Sequence, residues 1–167
     1  MKIHTLEEAF IMELSDIYNA EKQLTKALPK MAKAASDPEL ARGFETHLRE
    51  TEGQIERLDR VVELCGIKLK SEKCDAMEGL IAEGDEAVKY TDEGPVRDAM
   101  LIAAAQKVEH YEIAGYGTLA ELARKLGHDE AAGLLEETLQ QEKDTDVKLT
   151  ELAVGGVNDG ALRQAAE

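Results

Sequence analysis

The feature that most constrains the fold of this chain is a glutamate, Glu21, in the middle of an apolar helical stripe. The stripe recurs at alternating intervals of three and four residues and consists of Phe10, Leu14, Ile17, Glu21, Leu24, Leu28 and Met31. This period places its members on one face of an α-helix that faces a core. An ionised carboxylate buried on such a face is costly unless its charge is compensated.

Four other glutamates lie on long helical patterns in the same way: Glu50, Glu109, Glu112 and Glu142. Several carboxylates that point into one interior require a shared cation. A pair of metal ions in a four-helix bundle meets this requirement. The pattern therefore predicts a dinuclear metal site in a bundle core.

Composition and charge limit the class of protein. The chain has 167 residues, of which 43% are hydrophobic, so it can form one domain with a core. Its formal net charge of −15 argues against nucleic acid or an anionic membrane as a partner. The N-terminus lacks an apolar signal segment, and no window approaches the roughly 18 consecutive apolar residues of a membrane span. We therefore expect a soluble cytoplasmic protein.

The periodicity predicts an all-α fold built on four long helices. We place them at residues 5–35, 38–65, 95–126 and 128–153. Short links join the first helix to the second and the third to the fourth. Residues 67–94 form a long crossover that carries a short fifth helix. Two helical hairpins are thus expected to pack together over residues 1–155, followed by a frayed tail at 156–167.

An internal repeat relates the two hairpins. Aligning Glu21 with Glu112 places Glu50 and Glu142 at nearly the same distance further along the chain. Each of the latter two is followed at i+4 by a further oxygen ligand, Gln54 and Asp146 respectively. Residues i and i+4 share a helix face, so each hairpin offers ligands from both of its helices. Two hairpins about a pseudo-twofold axis would enclose two metal ions.

The predicted metal ligands are Glu21, Glu50, Gln54, Glu109, Glu112, Glu142 and Asp146. Glu109 either binds metal with Glu112 or accepts a hydrogen bond from a ligand, and Tyr18 occupies the equivalent position in the first half. Four side chains are expected around the ligands: His47, Tyr18, Tyr116 and His110. Three readings of His47 stay open, because it could bind metal, orient a carboxylate or be an ordinary core histidine.

Three segments carry a resemblance to a known family: SDIYNAEKQL at 15–24, ETEGQIERL at 50–58 and AAAQKVEHYE at 103–112. They resemble the YciE/YciF-type bacterial stress proteins of the ferritin-like superfamily. The resemblance implies a ferritin-like four-helix bundle, related to rubrerythrin, that forms a homodimer. Relatives in that superfamily carry a di-iron centre with Glu-x-x-His on the second and fourth bundle helices.

The chain departs from the Glu-x-x-His pattern. Gly53 and Thr145 stand where the two histidines are expected, and Gln54 and Asp146 follow one residue later. A site built mainly from oxygen ligands is harder than the usual one, which makes manganese a candidate beside iron.

Three functions are compatible with this sequence. The first is a stress-associated protein with two divalent ions, iron or manganese, and a redox activity towards oxygen or peroxide. The second is a non-catalytic helical dimer that acts as a structural or interaction protein without a physiological metal. The third is metal storage, which requires a closed shell of many subunits.

Overall fold

The computed structural model describes residues 2–164, and these fold into an all-α bundle without β-strands in the described part of the chain. The helices are α1 (Leu6–Ala34), α2 (Pro38–Cys65), α3 (Asp75–Tyr90), α4 (Pro95–Lys125), α5 (Asp129–Leu152) and α6 (Asn158–Gln164). The predicted all-α bundle is thereby confirmed. Among residues 2–164, no helix is both long and apolar enough to cross a membrane.

The helices pack as two hairpins with one crossover. α1 pairs with α2, and α4 pairs with α5, while α2–α5 and α1–α4 contacts join the hairpins into a four-helix bundle. The crossover helix α3 packs on α4 and α1. Each bundle helix therefore presents one face to a shared interior.

Local sequence signals set the helix ends. Thr5 and Glu8 form a capping box at the start of α1. The Asp37 side chain caps α2 ahead of Pro38. Gly66 ends α2 with a φ of 62°, a left-handed conformation that glycine adopts without strain. Because these signals act over a few residues, the helix limits follow closely from the sequence.

The C-terminal segment corrects the expectation of a frayed tail at 156–167. The backbone kinks at Gly156, and α6 then packs along α4. Val157 is buried, and the Gln164 side chain accepts a hydrogen bond from the backbone N–H of Val96 at 3.3 Å. The expectation is thus corrected through residue 164, and residues 165–167 lie outside the described residues. The kink at Gly156 returns the chain to the bundle.

The interior consists of two apolar clusters with a polar layer between them. The first cluster includes Leu24, Leu28, Phe44, Val108 and Leu149. The second includes Phe10, Leu14, Leu58, Leu119 and Leu135. The buried polar side chains of the layer are Glu21, His47, Gln54, Glu109, Glu112 and Glu142.

Two glycines near the middle of α4 give a prediction about packing. A Cβ atom at Gly115 would lie 2.8 Å from Cδ1 of the buried Ile17, whereas one at Gly117 would meet nothing closer than 3.9 Å. Gly117→Ala should stabilise the fold by about 1 kcal/mol through helix propensity. Gly115→Ala should instead destabilise it by about 1–3 kcal/mol, because Ile17 must move within a packed core. Urea unfolding of both variants tests this, and an equal gain in both would contradict the close approach of α1 to α4.

Candidate metal centre

All four bundle helices contribute side chains to the polar layer. α1 supplies Glu21, α2 supplies His47 and Gln54, α4 supplies Glu109 and Glu112, and α5 supplies Glu142. Each of these side chains belongs to a residue that is at most 3% exposed. Their inward direction follows from helix periodicity, since Glu109 and Glu112 lie three residues apart on one face of α4.

Four of these side chains converge closely enough to bind one cation. His47, Glu109, Glu112 and Glu142 each offer one ligand atom, and these atoms all lie within 4.8 Å of one another. Nε2 of His47 is 3.3 Å from Oε1 of Glu109 and 3.8 Å from Oε2 of Glu142. An imidazole and three carboxylates are ligands that divalent transition-metal ions accept.

Many atoms of the layer lack a hydrogen-bond partner among the described residues. They include both carboxylate oxygens of Glu112, Oε2 of Glu21, Oε2 of Glu109 and Oε2 of Glu142. Both ring nitrogens of His47 and Oε1 of Gln54 are also without one. Buried polar atoms are normally satisfied, and all of these except one ring nitrogen of His47 can donate an electron pair. The side chains therefore fit a metal ion.

Burial dominates the electrostatics of the carboxyl groups. Burial, with the charge of Glu142 added, raises the pKa of Glu21 to about 8 from an ordinary 4.5. Burial also raises the pKa of Glu109 and of Glu112 well above 4.5, and neighbouring carboxylates act in the same direction. Without a cation, the layer accommodates these groups only by keeping them partly protonated.

The structure places His47 inside the group of candidate ligands. Burial alone lowers the pKa of His47, but its interaction with Glu50 and the charges of Glu142 and Glu21 reverse this, and the net shift is upward. Nδ1 of His47 lies 3.6 Å from Oε2 of Glu50, which is 27% exposed at the edge of the layer. The same interaction lowers the pKa of Glu50. The sequence indicated this position of His47, because residues three apart share a helix face and His47 precedes Glu50 by three residues.

Two hydrogen bonds orient the carboxylates. The Tyr116 hydroxyl donates to Oε1 of Glu21, and the Gln54 amide donates to Oε1 of Glu142. Tyr116 and Gln54 are fully buried, so packing fixes their side chains. In each pair the second carboxylate oxygen is left without a partner.

Three of the predicted residues lie outside the layer. Asp146 is engaged by Nε2 of Gln106 at 3.1 Å and by Nε2 of His110 at 3.3 Å. The His110 side chain itself is 69% exposed. The Tyr18 hydroxyl donates to Asp59 at 2.9 Å. The role of Gln106 was missed, although it precedes His110 by one helical turn and so shares its face.

Comparison with known proteins identifies the family. Residues 5–162 match the family described as a domain of unknown function, DUF892. Over 166 residues the chain is 58% identical to protein YciF of Escherichia coli K12. The alignment covers 99% of this chain and 100% of YciF. The chain belongs to the DUF892 family, among its YciF-type members. The resemblance seen in the sequence is thereby confirmed.

Two solved structures share this fold. The crystal structure of the E. coli stress protein YciF matches with a TM-score of 0.91 at 59% identity, covering 93% of this chain and 99% of the other. YcfI from Rhodopseudomonas palustris matches with a TM-score of 0.85 at 47% identity, covering 89% and 95% respectively.

The raised pKa values predict how the stability of the metal-free YciF-type protein changes with pH. Between the ordinary pKa of 4.5 and the raised value of about 8, folded Glu21 keeps a proton that the unfolded chain releases. The free energy of unfolding must therefore fall as pH rises through this window. Glu109 and Glu112 act in the same direction, and so does His47, whose contribution is lost as pH rises through its raised pKa.

Urea unfolding of chelator-treated protein between about pH 5 and about pH 8 measures this slope. The expected loss is on the order of a few kcal/mol, because each unit of pKa shift corresponds to about 1.4 kcal/mol. Glu21→Gln should flatten the slope, whereas the exposed control Glu56→Gln should leave it unchanged. A stability that is constant or rises over this range would show that the carboxyl groups are not held together in a dry layer.

Proposed function

We propose that this YciF-type protein binds two divalent metal ions, iron or manganese, in its polar layer and acts as a metal-binding stress protein. The observation that carries the proposal is the set of buried oxygen and nitrogen atoms, contributed by all four bundle helices, that lack hydrogen-bond partners. The role in stress extends to this chain from E. coli YciF, which is described as a stress protein.

The first ion would be held by the convergent group His47, Glu109, Glu112 and Glu142. Glu21 supports a second ion, because it is fully buried in the same layer and its Oε2 lacks a hydrogen-bond partner. Further oxygen ligands are available at Oε1 of Gln54 inside the layer and at Glu50 on its edge. Asp146 could join only after leaving Gln106 and His110.

The ligand set favours iron or manganese. One imidazole among several carboxylates forms a hard, oxygen-rich site, and carboxylate sites of this kind suit manganese and ferrous iron. Such ions, when bound, supply electron exchange with oxygen or peroxide.

The chain's own residues would orient the ligands and exclude water. Tyr116 and Gln54 each hold one carboxylate oxygen, of Glu21 and Glu142 respectively, and leave the other oxygen without a partner. Partners of this kind fix ligand orientation and tune a metal site. The second apolar cluster covers one side of the layer and limits the access of water there. We also propose that the protein is related to the ferritin-like superfamily and forms a homodimer.

A second function is supported by a specific observation. The hydrogen bonds of Glu21 and Glu142, together with the upward pKa shifts of Glu21, Glu109 and Glu112, let protonated carboxyl groups occupy the layer without metal. On this alternative the protein is a structural or interaction protein, and its buried polar groups fix the packing of the helices.

Elemental analysis of protein purified without chelators separates the two functions. The proposal predicts close to two iron or manganese ions per chain. Glu112→Gln should lower the metal content and should reduce stability only when metal is present, because a ligand at 100 times its Kd stabilises a protein by about 2.7 kcal/mol. The exposed control Glu56→Gln should match the wild type.

The opposite result would support the structural alternative. It consists of no bound metal, no stabilisation on adding either ion, and a Glu112→Gln variant that is more stable than the wild type. Peroxide consumption by the metal-loaded protein then tests the redox activity separately from binding.

A further inference from the structure

A cavity of about 360 Å³ lies beside the polar layer, within the first apolar cluster. All four bundle helices line it. Its apolar wall is formed by Leu24, Leu28, Phe44, Val108 and Leu149. His47 and Glu109 lie at its inner end, where it reaches the polar layer.

The mouth of this cavity is marked by the lining residues that are exposed. Arg42, Gly43 and Thr46 of α2 stand on one side, and Lys148 of α5 stands on the other. Two cations thus flank the opening, and they outnumber the one partly exposed carboxylate that also lines the cavity, Glu50, in a chain whose net charge is −15. Lys148 forms no ion pair within the part of the chain described, and Arg42 approaches Glu39 only at 4.0 Å.

Size and charge define the molecule that fits. An apolar cavity of about 150 Å³ holds a benzene molecule, so this one has room for a longer aliphatic chain. Its volume is also within the range of about 300–1,000 Å³ that ligand pockets occupy. Burial disfavours an ionised head group at the inner end, whereas the cations attract it at the mouth.

We propose that the cavity binds a medium-chain carboxylate, with its head group between Arg42 and Lys148. The chain lies along Leu24, Phe44 and Leu149, and its methyl end points towards His47. Burial of each methylene strengthens binding by about fourfold, and the exposed cations select the charge of the head group. This binding site goes beyond the metal centre and does not depend on bound metal.

Isothermal titration of the full-length protein with octanoate, octanol and octylamine tests the head-group preference. These probes share one chain length and differ in charge. Octanoate should bind tighter than octanol by about 2- to 5-fold for each exposed cation, and octylamine should bind more weakly than octanol. The double variant Arg42→Gln, Lys148→Gln should lose the preference while its affinity for octanol is unchanged. Equal affinities for octanoate and octanol in the wild type, or no binding of octanoate, would overturn the proposal.

A second variant tests the location. A Cβ atom at Gly43 meets no atom within 4 Å, so Gly43→Leu can place an apolar side chain in the mouth. The substitution also improves helix propensity, so the protein stays folded. Octanoate affinity should fall about tenfold or more, because the bound chain loses apolar contact. The matched control is Gly79→Leu, at an exposed helical glycine that has equal space and does not line this cavity. Equal affinity of Gly43→Leu and the wild type would overturn the proposal.

The titrations are run on chelator-treated and on metal-loaded protein. Octanoate binding in both forms is the expected result. Absence of binding in a protein that retains its metal overturns the cavity proposal alone. Absence of metal in a protein that binds octanoate contradicts the metal centre alone.

Discussion

The compensation of buried negative charge is the constraint on which the rest of the structure depends. Glu21, Glu109, Glu112 and Glu142 come from three different helices and meet in a layer that two apolar clusters enclose. Desolvation makes the ionised form of each carboxyl group costly, and the proximity of the others adds repulsion. The layer is stable only with protons or cations between the oxygens. The stability of the four-helix bundle therefore depends on the protonation or metal binding of the carboxyl groups at its centre.

Much of the fold could be predicted because its signals are local. Thr5 with Glu8, Asp37 with Pro38, and Gly66 each act within one helical turn, so the helix limits differ little from those expected. The burial of Glu21, Glu109, Glu112 and Glu142 also follows from periodicity, whereas Glu50, which was expected inside the layer on the same grounds, is partly exposed at its edge. The structure of the C-terminal segment could not be predicted in this way, because the packing of α6 on α4 depends on a kink at Gly156 and on contacts distant in sequence.

The details of the site depend on neighbours from other helices, which a periodic pattern does not specify. Asp146 shares a helix face with Glu142, yet Gln106 and His110 of α4 hold it aside. The sequence left three roles open for His47. Its position among the candidate ligands is set by the packing of α2 against the carboxylates of α4 and α5. The cavity beside the layer was not anticipated, since a void arises from how four helices fit together.

The most direct measurement is the anomalous X-ray scattering of crystals grown with manganese, recorded on the wild-type protein. If cations compensate the buried charge, the anomalous map will show peaks within bonding distance of the carboxylate oxygens of Glu112 and Glu142, together with His47. The contradicting result is a map without peaks in the polar layer, in crystals where Tyr116 still bonds Glu21 and Gln54 still bonds Glu142. Protons would then be the compensating charge.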